Sequence, residues 1–357
     1  FTRRRAAGTE RFSFEPAEED GRAALDSCVA PRLHRQLKWR LLGRALGVDA
    51  SQPAGEALDA ALDGVYERHL RLDPIDRYVL LAFDRYHDGA GRRPPFPSRR
   101  GVRASDIYTS NTLVRAACLR DPRRFLFGAS VHPYRDDAPR CVEEVFAGGA
   151  CLMKWMPLHQ NIDMCDERTL AVLEVCAELG LPLLYHFGPE FTLRTNHPEH
   201  EPIVNLFEAL SILLRRGRMP ITIVAHVATP THALGDRASH DMLLGALRGD
   251  FARRPLYADI SALAALGKLP FLRRLAERTD LHHKLLFGSD FPVPPALSLL
   301  ATGAPYEPRP DAATEWPNAA VHAYRAAGFS EIVFHRAAEL LPNVEHFRTT
   351  PTAHGDP

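Results

Sequence analysis

Seven short apolar runs set the rhythm of the chain from residue 75 onward. They cover residues 78–83, 125–131, 150–153, 181–185, 221–225, 256–258 and 284–287. Each is too short for a helix and too uniformly apolar for a strand with one wet face. Such runs fit strands of a parallel sheet buried on both faces. Helical patterns fill the intervals. Asp166 precedes one that runs through Leu170, Leu173, Val175 and Leu179 and is stopped by Gly180. Others are predicted over 204–214, 238–247 and 261–276. Upstream, Leu33, Leu37, Leu41, Leu42 and Leu46 recur at helical spacing over 31–47, and Leu58, Leu62, Val65 and Leu70 do so over 55–71. The first 27 residues are polar and charged, and an irregular segment is expected there.

The apolar runs end at His132, Lys154, His186, His226, Asp259 and Asp290, close to the ~30-residue period of a strand–helix unit. A doubly wound sheet shares that alternation, but no G-x-G-x-x-G phosphate loop is present. The reading is therefore an α/β chain forming a (β/α)8 TIM barrel, its first strand truncated or missing, with a helical N-terminal insertion. The expected divisions are an irregular segment over 1–27, a cap-like helical insertion over 28–74, the barrel over 75–345 and a disordered tail over 346–357.

Composition narrows the function classes. The chain has 357 residues, 45% of them hydrophobic and 25% charged, as in an ordinary soluble globular protein. Its 44 basic and 44 acidic residues cancel, which argues against a general nucleic-acid binder. No apolar run approaches the length of a membrane span. Six scattered cysteines, Cys28, Cys118, Cys141, Cys151, Cys165 and Cys176, match no zinc-binding spacing and read as buried small hydrophobes in a reducing, cytoplasmic compartment. A small-molecule substrate is the expected partner, with no nucleic acid and no membrane, and a homo-oligomer is allowed.

In a (β/α)8 barrel the site lies at the carboxyl ends of the strands, where this chain places Lys154, His186, His226 and Asp290. Alone, each has an ordinary explanation: a polar residue leaving the core, a rim lysine, a helix N-cap. Together, two imidazoles and a carboxylate form a donor set for a divalent first-row metal, and such an ion would turn water into hydroxide near neutrality. Less specific candidates surround them. Glu190 would contact substrate or support His186. His132 would line the pocket or serve as a structural histidine. Asp259 would cap a helix, bond a loop or touch substrate. Trp155 and Phe187 would wall an apolar pocket or simply pack.

The stretches GACLMKWMP (149–157), LPLLYHFG (181–188), IVAH (223–226), LYADIS (256–261) and LFGSDFP (286–292), in this order, resemble the amidohydrolase superfamily. The branch containing aminocarboxymuconate-semialdehyde decarboxylase-like proteins is the most similar, over about residues 75–345. The resemblance implies that His186 is a metal ligand on the fifth strand. His226 would be the sixth-strand histidine, a ligand or catalytic helper, and Asp290 the eighth-strand aspartate that touches metal and acts as base. Lys154 stands where binuclear members carry a carbamylated lysine; the alternative is an ammonium contacting an anionic substrate. The implied cofactor is a divalent metal, zinc before manganese or iron. Members also carry an H-x-H pair on the first strand, and none occurs here: His197 and His200 are spaced H-x-x-H, and His282 and His283 are adjacent. With Phe1 in place of an initiator Met, truncation of that strand is expected, the alternative being its real loss in a metal-poor or inactive protein.

Three readings of function follow. One is a metal-dependent hydrolase in which metal-activated water attacks an ester, lactone or amide carbonyl, with Asp290 and His226 catalytic. Another is a metal-dependent non-oxidative decarboxylase, a lyase. The third is a non-catalytic barrel used as an interaction module.

Overall fold

The computed structural model describes residues 2–6, 8–34, 36–37, 64–95, 102–190, 192–293 and 316–349. The N-terminal stretch carries strands β1 (Thr2–Arg4), β2 (Glu18–Glu19), β3 (Arg22–Ala23) and β4 (Leu25–Val29). It is thus more regular than expected. Charge pairing supplies the order that composition did not show: Arg5 is buried between Glu15 at 3.1 Å and Asp26 at 2.8 Å. The helices expected over 31–47 and 55–71 lie largely outside the described residues. Pro31–His34 is helical, and so are residues 64–69.

The apolar runs become strands β5 (Tyr78–Leu81), β7 (Phe125–Ala129), β8 (Ala150–Trp155), β9 (Leu183–Tyr185), β10 (Thr222–Val224), β11 (Leu256–Asp259) and β12 (Leu285–Leu286). Strand β6 (Ile107–Thr109) belongs elsewhere: it pairs antiparallel with β4, which also pairs with β1. The seven strands form one curled parallel sheet in the order β12-β11-β10-β9-β8-β7-β5. Among the described residues β12 and β5 are not paired with each other. The register sets Lys154 beside Leu184, Trp155 beside Tyr185 and Val224 beside both Tyr185 and Ala258. Every residue of β7, β8 and β10 is buried, as a sheet covered on both faces requires. The fold is that of a TIM barrel.

Helix Glu167–Leu179 shows how local sequence fixes an element. The Asp166 side chain accepts from Arg168 N–H at its start, and Gly180, at φ 64°, ends it in the left-handed conformation glycine favours. Helices Val204–Arg215 and Ala238–Arg248 also follow the pattern. The helix expected over 261–276 begins late, at Leu269. Ser261 bonds back to Asp259 and Ala262 adopts φ 55°, so the chain cannot turn helical until Pro270 fixes the first turn. At the other end, His346–Thr349 forms a short helix with Phe347 buried, where a disordered tail was expected; residues 350–357 lie outside the description. The six cysteines are free thiols, five of them buried and Cys165 half-buried. Among the described residues no helix is long and apolar enough to cross a membrane.

Candidate metal centre

His226 follows β10 in an unusual backbone. His226, Val227 and Ala228 adopt φ of 55°, 51° and 49°, a left-handed turn that is costly above all for a β-branched valine. The surroundings hold it there. Asp259 accepts the His226 N–H at 2.9 Å, and His240 bonds Val227 C=O at 2.8 Å. The His226 Nδ1–H donates to Ser261 C=O at 3.1 Å, with Ser261 Oγ 2.7 Å away, while Ser261 Oγ–H donates to Asp259. These partners assign the proton to Nδ1 and leave the Nε2 lone pair free. Nε2 lies 3.9 Å from Asp290 Oδ2.

His186 follows β9, its N–H bonded to Trp155 C=O at 3.1 Å. Its ring stands edge-on to that of His226, centroids 5.4 Å apart. Pro189 C=O takes up its Nδ1–H, and its buried Nε2 has no hydrogen-bond partner. Nε2 faces Glu190 Oε2 at 3.3 Å. Glu190 Oε1 accepts from Leu193 N–H at 3.0 Å and from Thr192 N–H, which fixes the carboxylate beside the ring. Gly188, at φ 88°, lets this loop pass close to the turn after β10: a Cβ there would sit 3.2 Å from Ala228 C=O.

Burial dominates the protonation of both imidazoles. It lowers His186 to about 4, Glu190 opposing and Lys154 and Lys268 adding to the shift. It holds His226 well below its ordinary value, with Lys268, His186 and Lys154 adding. Both rings are therefore neutral near pH 7. Asp290 is raised to about 7 by loss of solvent around it, with Lys154 opposing and Asp259 and Glu190 reinforcing. Its carboxylate still opens to the exterior at 37% exposure. Burial also depresses the two ammonium groups of Lys154 and Lys268 against the pull of Asp259, Asp290 and Glu190.

The chain thus gathers Lys154, His186, Glu190, His226, Asp259 and Asp290 at the carboxyl ends of β8 to β12. Three candidates are placed otherwise. His132 accepts from Tyr134 N–H on Nδ1 at 3.0 Å, donates from Nε2 to Gln160 C=O at 2.8 Å, and packs on His87 with centroids 4.3 Å apart. Trp155 is fully buried, its indole N–H donating to Val131 C=O at 2.8 Å and its ring edge-on to Tyr185. Phe187 is likewise buried. Sequence reading missed Lys268 and Ser261. Both sit in the stretch expected to be helix, where nothing in the periodicity separates a site lysine from a surface one.

These residues suit a divalent ion, although the fit is not closed. The orphaned Nε2 of His186 confronts an acceptor oxygen, an arrangement that a cation between them would reconcile. The free Nε2 of His226 points the same way, toward a carboxylate. The three donors of His186, His226 and Asp290 do not all lie within 4.8 Å of one another, because His186 leans toward Glu190. Grasping one ion would require that side chain to swing toward Asp290.

The sequence profile of the family described as Amidohydrolase matches residues 89–323, more than half the chain. No curated protein matches. Among solved structures, an uncharacterized TIM-barrel protein from Bordetella bronchiseptica is 18% identical, with a TM-score of 0.48 over 81% of this chain and 90% of that one. A probable 2-pyrone-4,6-dicarboxylic acid hydrolase from Acinetobacter baumannii, with citric acid bound, is 13% identical, with a TM-score of 0.45 over 66% and 80%. A 5-carboxyvanillate decarboxylase from Novosphingobium aromaticivorans, with bound manganese, is 12% identical, with a TM-score of 0.45 over 88% and 84%.

Proposed function

Because the chain belongs to the amidohydrolase family, whose members are enzymes, we propose that it is a metal-dependent hydrolase acting on an ester, lactone or amide carbonyl. The observation that carries this reading is the pair of neutral imidazoles, at His186 and His226, each turning a lone pair toward a carboxylate at the mouth of the sheet. His186, His226 and Asp290 would hold the ion, for which zinc is proposed ahead of manganese or iron. A bound divalent ion supplies Lewis acidity and a water of lowered pKa.

The chain's own groups do the rest. Asp290 orients the attacking water and receives its proton at Oδ2. Asp259 and Ser261 lock the tautomer of His226, so that its Nε2 stays an acceptor. Glu190 steadies His186. Lys154 and Lys268 offer ammonium groups to a negatively charged substrate. That last feature also supports a second reading, metal-dependent decarboxylation, since such a substrate must present a carboxylate.

The test is metal analysis of the purified protein and of His186→Ala, paired with assays of carbonyl hydrolysis and of CO2 release on aromatic acids and lactones. Bound divalent metal that His186→Ala loses, together with hydrolysis, supports the reading. CO2 release without hydrolysis replaces it with the lyase, and a protein without metal or turnover overturns both.

A further inference from the structure

A second group of potential ligands takes no part in this chemistry. Pro198–His200 forms a single 3₁₀ turn, entered from His197 and closed by His200 N–H to His197 C=O at 3.0 Å and Glu201 N–H to Pro198 C=O at 3.1 Å. With three residues per turn, positions i and i+3 lie over one another. The rings of His197 and His200 accordingly stack, centroids 5.4 Å apart and planes at 22°. Glu199 Oε1 lies 2.8 Å from His197 Nδ1. One donor atom from each of His197, Glu199 and His200 lies within 4.8 Å of the other two, and among the described residues no other trio does this.

The turn is anchored from behind. His197 N–H donates to Leu158 C=O at 2.9 Å, His197 Nε2 meets Tyr86 Oη at 3.0 Å, and Asn205 Nδ2 donates to Glu199 C=O at 2.8 Å. His197 is buried, Glu199 faces solvent and His200 is half-buried. The ring of His200 has no hydrogen-bond partner among the described residues.

We propose that His197, Glu199 and His200 form a second metal site, separate from the mouth of the sheet, for a borderline first-row divalent ion. Two imidazoles and one carboxylate favour zinc, nickel or copper over magnesium or calcium. The ion would bind His197 through Nδ1, leaving Nε2–H to the Tyr86 oxygen, the outer partner that fixes a ligating ring. Its other positions would be filled by water. The loop that begins at His186 and carries Glu190 ends at this turn, so the ion would clamp that loop to the segments holding Tyr86 and Leu158.

The experiment is zinc titration by calorimetry, with the bound metal counted per chain, on the wild type, His200→Gln and Glu199→Gln, and on His186→Ala/Asp290→Asn with and without His200→Gln. His200 and Glu199 reach outward, so these changes spare the buried His197–Tyr86 contact. The expected result is one zinc fewer per chain in His200→Gln, Glu199→Gln weakened at least tenfold, and a zinc retained by His186→Ala/Asp290→Asn that His200→Gln removes. Because the wild-type comparison reads the loss of one ion directly, it stands even if the double variant fails to fold. Unchanged titrations in both His200→Gln and Glu199→Gln would overturn the site. Loss of metal only on changing His186 and Asp290 would do the same while leaving the proposed reaction intact.

Discussion

At the scale of single residues, the buried ion pair that follows β5 is costly to break. Asp84 is buried with both oxygens on Arg135, at 2.6 and 2.7 Å, and accepts the His132 N–H at 2.7 Å. Burial alone would raise its carboxyl, but Arg135 holds it well below the usual carboxylate range. Asp84→Ala leaves a buried guanidinium unpaired and is expected to cost about 3–5 kcal/mol in urea unfolding. His132 is one of the buried histidines that contribute to the pH dependence. Burial lowers it to about 4 against an ordinary 6.5. A folded-state pKa below the unfolded one means that its contribution is complete above about 6.5 and is lost as pH falls toward 4, by about 3 kcal/mol at most. Unfolding midpoints measured across that window should fall more steeply for the wild type than for His132→Gln. At the site, Lys268→Met should raise KM for a carboxylate-bearing substrate about tenfold or more while leaving metal content unchanged. The grouping of His186, His226 and Asp290 at the strand ends was legible because strand ends expose polar residues at a readable period. Lys268 was hidden because it ends a 3₁₀ turn, Leu266–Lys268, inside a stretch whose periodicity reads as ordinary helix.

At the scale of elements, the sequence was most informative where burial was complete. The seven apolar runs became the seven parallel strands to within two residues at every end, because two-sided burial leaves no polar position to confuse the pattern. The ends of helix Glu167–Leu179 were readable for a different reason: Asp166 and Gly180 act through their own backbone chemistry. Asp166→Ala should lower stability by about 1 kcal/mol, seen as a shift in the urea midpoint without a change in slope. The late start of the helix at Leu269 was not readable, since the turn at Asp259–Ser261 is tied to His226, far back along the chain. The N-terminal strands escaped for a similar reason. Their partners are ion pairs such as Arg5–Asp26 and a strand, β6, far along the chain.

For the whole molecule, metal and fold are thermodynamically linked. An ion that binds only the folded chain adds about 2.7 kcal/mol at a hundredfold excess over its Kd. Chelation should therefore lower the melting temperature, and zinc should restore it, in the wild type but to a smaller extent in His186→Ala. The parallel sheet, the period and the position of the mouth came from the sequence. The degree to which the donors converge did not, because it depends on which way His186 leans. One consequence concerns evolution in the laboratory. The left-handed turn His226–Ala228 is held against the preference of its own residues, so variants selected only for heat resistance should accumulate glycine or asparagine at Val227. Relaxed there, the backbone would no longer be forced to aim the imidazole, and the hardier proteins should prove the poorer catalysts.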